Sequence, residues 1–144
     1  KAYSMAALRV GYAVANKGLA EVMNCIKIPY SLNALSEGAA IAAVGDQGFI
    51  KRSVAMVDAE RPRLSKGLER LGFRTFPSDA NFIMAECPAD HAEIVSRLRA
   101  EGILIRDFGS RRRTENCVRT TIGTPELNDR LLFALEKVLG DMGC

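Results

Sequence analysis

Asn81-Phe-Ile-Met-Ala-Glu86-Cys-Pro-Ala-Asp90-His-Ala-Glu93-Ile-Val-Ser-Arg-Leu98 changes its hydrophobic period midway. Residues 81–86 read as a short strand. After Pro88, Asp90-His-Ala-Glu93 is a capping box that opens a helix burying Ile94, Val95 and Leu98 and ending at Gly102. A strand followed at once by an amphipathic helix predicts an α/β layer. His91 falls in the first turn of that helix and is expected to face solvent.

Working outward, Phe73–Phe76 reads as a second strand across the Pro77-Ser78-Asp79 turn, and Gly72 ends the helix before it. That helix carries a seam of Ile50, Val54, Val57, Arg61, Leu64, Leu68 and Leu71, spaced by alternating four- and three-residue steps. Arg61 is its one charged member. Pro62 removes a backbone donor, so a kink or split is expected between Asp58 and Pro62. Downstream, Ile103–Arg106 and Cys117–Ile122 read as strands. Thr124 caps a last helix with Pro125 at its first position, Leu127, Leu131, Leu135, Val138 and Leu139 on its buried side, and Gly140 at its end.

The start, Lys1-Ala-Tyr-Ser-Met-Ala-Ala-Leu-Arg9-Val-Gly-Tyr12, differs in character. Leu8, Val10, Tyr12 and Val14 alternate with Arg9, Gly11, Ala13 and Ala15, which predicts a strand with Arg9 on a face of small residues. A guanidinium there can grip an anion through two hydrogen bonds. Lys1 attacks a carbonyl only as the neutral amine, which requires its pKa to be lowered. A solvated lysine and a surface arginine are the plain alternatives. Asn16 caps a helix presenting Leu19, Val22, Met23 and Ile26 on one face, ended by Pro29; Ser31 or Asn33 caps another from Ala34 to Val44. The single strand has no partner in this region, so pairing is expected from a missing N-terminal segment or another chain.

Composition bounds the remaining choices. The chain has 144 residues and a net charge of +3, too small a surplus to argue for nucleic acid or a membrane surface. Arg111-Arg112-Arg113 is not interleaved with aromatic residues and reads as a solvated loop. Cys25, Cys87, Cys117 and Cys144 are scattered and His91 is the only histidine, so no metal site is expected. Scattered thiols and the lack of a long apolar run fit a cytoplasmic protein. Arg106 and Arg119, on successive strands, make a candidate anion clamp; salt bridges to Asp107, Glu115 or Glu126 are the competing account.

The lysine segment resembles that of fold-type I pyridoxal-phosphate aminotransferases, Ser-Lys-Ala-(Phe/Tyr)-Gly-Leu-Ala-Gly-Leu-Arg-(Val/Ile)-Gly-Tyr. Ser4 and Ala7 stand where that pattern has glycines. Pro77-Ser-Asp-Ala-Asn81-Phe82, Gly102-Ile-Leu-Ile-Arg106 and Val118-Arg119-Thr-Thr-Ile-Gly123-Thr124-Pro-Glu126-Leu-Asn128 resemble successive small-domain blocks of histidinol-phosphate aminotransferases. Leu127 replaces a common glutamate in the last block. The resemblance covers nearly the whole chain and only the C-terminal part of the family's length.

The resemblance implies that Lys1 holds pyridoxal 5'-phosphate covalently and is the catalytic acid and base, and that Arg9 binds the cofactor phosphate. It also implies that Arg106 and Arg119 bind substrate anions and that Asn81 shapes the pocket wall. The implied fold is α/β: a remnant of the large cofactor-binding domain over residues 1–48, then a small C-terminal domain over 49–144 that includes the connecting helix. The implied substrates are histidinol phosphate and glutamate or 2-oxoglutarate, handled by a homodimer when complete. Upstream cofactor contacts of the family have no counterpart here, so the isolated chain is expected to be inactive. A threonine-phosphate decarboxylase-like enzyme and a non-catalytic α/β binding or dimerisation module are the alternatives.

Overall fold

The computed structural model describes residues Ala2–Gly143, and the chain divides into two compact units, Lys1–Val54 and Ala55–Cys144. Helices α1 (Lys17–Ile26) and α2 (Ala34–Gly45) belong to the first. Helix α3 (Gln47–Arg70) begins there and continues into the second, which adds β1 (Arg74–Thr75), β2 (Phe82–Glu86), α4 (His91–Ala100), β3 (Arg106–Asp107), β4 (Cys117–Thr121) and α5 (Pro125–Met142). Among the described residues no helix is long and apolar enough to cross a membrane.

In the first unit, Asn16 and Asn33 cap α1 and α2 by accepting from Leu19 N and Ser36 N at 3.0 and 2.8 Å. Asp46 caps the next helix, accepting from Phe49 N at 2.9 Å. The strand expected from Leu8 to Val14 does not form. Ala6–Leu8 is a 3-10 turn and Arg9 is left-handed at φ 56°, which ends any ladder before it begins. No neighbouring strand is present among the described residues of this unit, so an extended segment has nothing to exchange backbone bonds with. Tyr12 and Val14 are accordingly exposed, as are Val22 and Ile26 on the apolar face of α1.

The second unit is a two-layer α/β structure. Its four strands run antiparallel in the order β1-β2-β4-β3, and helices cover one face. Burial alternates along β2, with Ile83 and Ala85 directed to the core and Phe82, Met84 and Glu86 away from it. Leu64 and Leu68 of α3, Ile94 and Leu98 of α4, and Leu131, Leu135, Val138 and Leu139 of α5 close the core over that face. A fully buried side chain such as Leu64 or Ile94 contributes about 1.5–3 kcal/mol.

Several local expectations need correction. Helix α3 is not split near Pro62; it runs unbroken from Gln47 to Arg70 with the proline inside. Arg61 explains the charge in its seam, because its guanidinium donates to the Ala80 carbonyl at 3.2 and 3.3 Å and to Asp58. The strand expected over Ile103–Arg106 shrinks to Arg106–Asp107, with Ile103 and Ile105 packed against the core instead. Helix α5 passes through Gly140 and ends at Gly143, whose φ of 78° supplies the left-handed terminus.

One polar knot ties α3 to α5. The buried Glu60 carboxylate accepts from Asn128 Nδ2 at 2.7 Å and from Arg63 Nη2 at 2.6 Å, while Asn128 Oδ1 accepts from Gly123 N at 2.9 Å. These donors, led by the Arg63 guanidinium, hold the Glu60 carboxyl below the ordinary carboxylate value of 4.5. The unfolded chain therefore takes up this proton first as pH falls. The stabilisation is complete above 4.5 and is lost as pH drops through the folded value. Thermal melts of Glu60→Gln should show a variant less stable at neutral pH, with the difference from wild type shrinking below pH 4.5; a constant difference would contradict this role.

Candidate functional site

The register of the sheet builds the site. Antiparallel pairing sets Met84 opposite Arg119 and Arg119 opposite Arg106, so these three side chains share the face turned away from the helices. Neighbouring Val118 and Thr120 turn into the core and are buried, whereas Arg119 is half-buried and Arg106 exposed. The structure thus brings together the two arginines expected to form an anion clamp.

Like charges directly across a ladder normally destabilise it. Here aromatic faces offset the cost. The Arg119 guanidinium lies 4.9 Å from the Phe82 ring centre and 5.6 Å from that of Phe108. Arg106 reaches Phe108 at 5.9 Å and Arg111 reaches it at 5.0 Å. An exposed cation–π contact contributes about 0.5–1 kcal/mol, comparable to the roughly 0.5 kcal/mol of repulsion between two charges on the order of 8 Å apart in water. The rings can hold the cluster together, but they leave its charge uncancelled.

The competing salt bridges are absent among the described residues. None of Arg106, Arg111 and Arg119 lies within bridging distance of a carboxylate. Asp107 instead accepts from Gly109 N at 2.8 Å and approaches His91 Nδ1 at 2.9 Å. Backbone amides, its own first, lower the pKa of Glu115, and the hydroxyl of Thr124 lowers that of Glu126. Each carboxylate near these arginines in sequence has another engagement.

The loop from Phe108 to Asn116 is strapped to α4. Asn116 sits at φ 56°, donates to the Cys87 carbonyl and accepts from His91 N, both at 2.9 Å. Its own N–H reaches Gly109 O at 3.1 Å. The expectation of an exposed His91 is corrected here: its side chain is only 14% exposed, because the ring lies against Gly109 and beside Asp107. A Cβ on Gly109 would meet that ring at 2.2 Å, so the position tolerates only hydrogen. Arg111, Arg112 and Arg113 are all exposed, as expected of a solvated loop, and Arg111 in addition stacks on Phe108.

Sequence reasoning missed Phe108, Arg111 and this strap. The available signal was the two-residue step from Arg106 to Phe108, which places both on one strand face. Asn81, at the entry to β2, is exposed, and its carbonyl accepts from Ile122 N at 3.0 Å.

Lys1 lies outside the described residues. Arg9 is exposed in the first unit, at an open cavity of about 640 Å³ lined also by Tyr3, Gly11, Tyr12 and Val44. Its side chain donates only to the Ala6 carbonyl at 3.4 Å and has no carboxylate partner among the described residues, which suits an anion such as a phosphate. Ser36 Oγ braces the turn by donating to Leu8 O at 3.0 Å. Ser4 adopts φ 53°, the left-handed region that glycine favours.

Comparison with known proteins gives a consistent result. The model of the family "Aminotransferase class I and II" matches residues 1–135. Histidinol-phosphate aminotransferase 2 of Pseudomonas aeruginosa is 37% identical over 139 residues, which are 96% of this chain and 37% of that protein. The chain thus spans little more than a third of that relative's length. The crystal structure of histidinol-phosphate aminotransferase from Sinorhizobium meliloti in complex with pyridoxal-5'-phosphate superposes with a TM-score of 0.87 at 29% identity, covering 99% of this chain and 39% of that one. L-threonine-O-3-phosphate decarboxylase from Porphyromonas gingivalis superposes with a TM-score of 0.81, also at 29% identity, covering 96% and 44%.

The packing of His91 on Gly109 makes a measurable prediction. Gly109→Ala should cost about 1–3 kcal/mol in urea unfolding, as overpacking does, and His91→Ala in the same chain should recover part of that loss. Strictly additive effects would show that the two residues do not touch.

Proposed function

The chain belongs to the class I and II aminotransferase family, and on that premise we propose that it is the C-terminal part of a pyridoxal-phosphate-dependent aminotransferase moving an amino group between histidinol phosphate and glutamate or 2-oxoglutarate. The observation that carries this reading is the cross-strand pair Arg106 and Arg119, stacked on aromatic rings with no carboxylate partner among the described residues. Residues 1–48 would belong to the large cofactor-binding domain and 49–144 to the small domain.

Pyridoxal phosphate, when bound, supplies an electron sink for the carbon that loses its proton. Lys1 would hold the cofactor through its amine, then carry the proton between substrate and cofactor carbons. Arg9 fits the cofactor phosphate because its guanidinium is exposed and has no acidic partner among the described residues. Arg106 would take the substrate phosphate. Arg119 would take the anionic group of either substrate, fixing the orientation that proton transfer needs. Asn81 would line the pocket wall. The complete enzyme would be a homodimer.

A second reading has its own support: the likeness to the decarboxylase acting on a phosphorylated amino acid. Both readings use a lysine and clustered arginines on a phosphorylated substrate, and they differ in the bond broken.

Joining the upstream portion of the Pseudomonas relative ahead of Lys1 tests both. Transamination of histidinol phosphate is expected, falling by about 10²- to 10⁴-fold in Lys1→Ala. Carbon dioxide release from phosphothreonine without transamination would favour the second reading, and activity indifferent to Lys1→Ala would overturn both. The 144-residue chain alone should show no measurable turnover with added cofactor. Tight stoichiometric cofactor binding with turnover would contradict that.

A further inference from the structure

Arg111 was no part of the expected site, yet its guanidinium is nearer the Phe108 ring than that of Arg106 or Arg119. It reaches that position from a loop whose backbone is closed on itself. Arg111 N donates to Phe108 O at 2.9 Å, Thr114 Oγ1 donates to the same carbonyl at 3.0 Å, and Phe108 N donates to Cys117 O at 3.0 Å. Arg112 and Arg113 share the loop and its charge but stack on no ring among the described residues. The geometry therefore singles out one arginine of the run.

We propose that Arg111 is a third anion-binding residue, forming with Arg106 and Arg119 a cluster of guanidinium groups at Phe108 that selects a doubly charged phosphate monoester over a singly charged carboxylate. The inference rests on the anion-binding reading of Arg106 and Arg119 given above and extends it to a residue and a preference. The charge count supports it. Three guanidinium groups carry three positive charges, so a carboxylate leaves two of them uncompensated and a doubly charged phosphate monoester leaves one, which favours the more highly charged ligand. The planar fork of each guanidinium offers paired donors, and three phosphate oxygens can accept from more than one fork at once. Phe108 gathers the three guanidinium groups within 6 Å of one ring centre.

Calorimetric titration of the chain with methyl phosphate and, separately, with acetate tests this without cofactor or turnover. Arg111→Ala should weaken methyl phosphate binding by about 10-fold, the scale of one charge-assisted hydrogen bond, and acetate binding by less than about 2-fold. Arg112→Ala and Arg113→Ala, which remove the same charge, should leave both within about 2-fold, and Arg111→Lys should fall between wild type and Arg111→Ala. Equal losses in the three alanine variants would reduce the effect to general electrostatics and overturn the proposal. Absence of methyl phosphate binding by the wild-type chain would overturn it too. Thermal melts identify any variant that has unfolded, and Arg111→Lys then carries the comparison. Because Lys1 plays no part in this titration, its outcome is separable from that of the aminotransferase test.

Discussion

The pairing of β4 between β2 and β3 is the constraint on which the candidate site depends. Side chains alternate across a strand, so a one-residue slip would send Arg119 toward the core and Val118 outward. The buried set Ile83, Ala85, Val118 and Ile122 opposes such a slip, because each would surrender its place against the helices. Hydrophobic burial on one face thereby fixes the position of charge on the other. The arginines need no direct bond to each other, and their repulsion is borne by a ladder held from beneath.

Two polar networks then reduce the freedom left by so short a sheet. Strand β3 contributes only Arg106 and Asp107 to the ladder, which alone would place a loop loosely. Asn116, Gly109 and His91 join that loop to α4, so the helix opened by Asp90 also positions Phe108. On the other side of the core, Glu60, Arg63 and Asn128 connect α3 to the turn before α5. The Glu60 knot stabilises the layer of helices, and the His91 strap shapes the arginine face.

Much of this was legible in the sequence where a feature depends on local pattern. The Asp90 cap, the alternation in β4 and the apolar stripe of α5 from Leu131 to Leu139 are set by residues within a turn or a strand of one another, whereas Leu127, expected on that buried side, is exposed in the first turn of the helix. The separation of Arg119 from its apolar neighbours followed from the same alternation. Long-range geometry was not legible. The burial of His91 depends on Gly109, eighteen positions away, and Arg111 acquires its role only when the loop folds back over Phe108. The strand expected around Arg9 failed for a related reason: alternation gives a segment two faces, but only a neighbour makes it a strand. Lys1, which the family resemblance makes central, lies outside the described residues.

The register itself can be measured directly. Because Phe108 N donates to Cys117 O at 3.0 Å, Asp107 and Val118 form a non-hydrogen-bonded pair, the kind in which facing backbones come closest. Nuclear Overhauser spectroscopy of the labelled chain should show a strong contact between the Hα protons of Asp107 and Val118. If Asp107 Hα instead meets a residue other than Val118, Arg106 and Arg119 are not partners and the anion site described above does not exist.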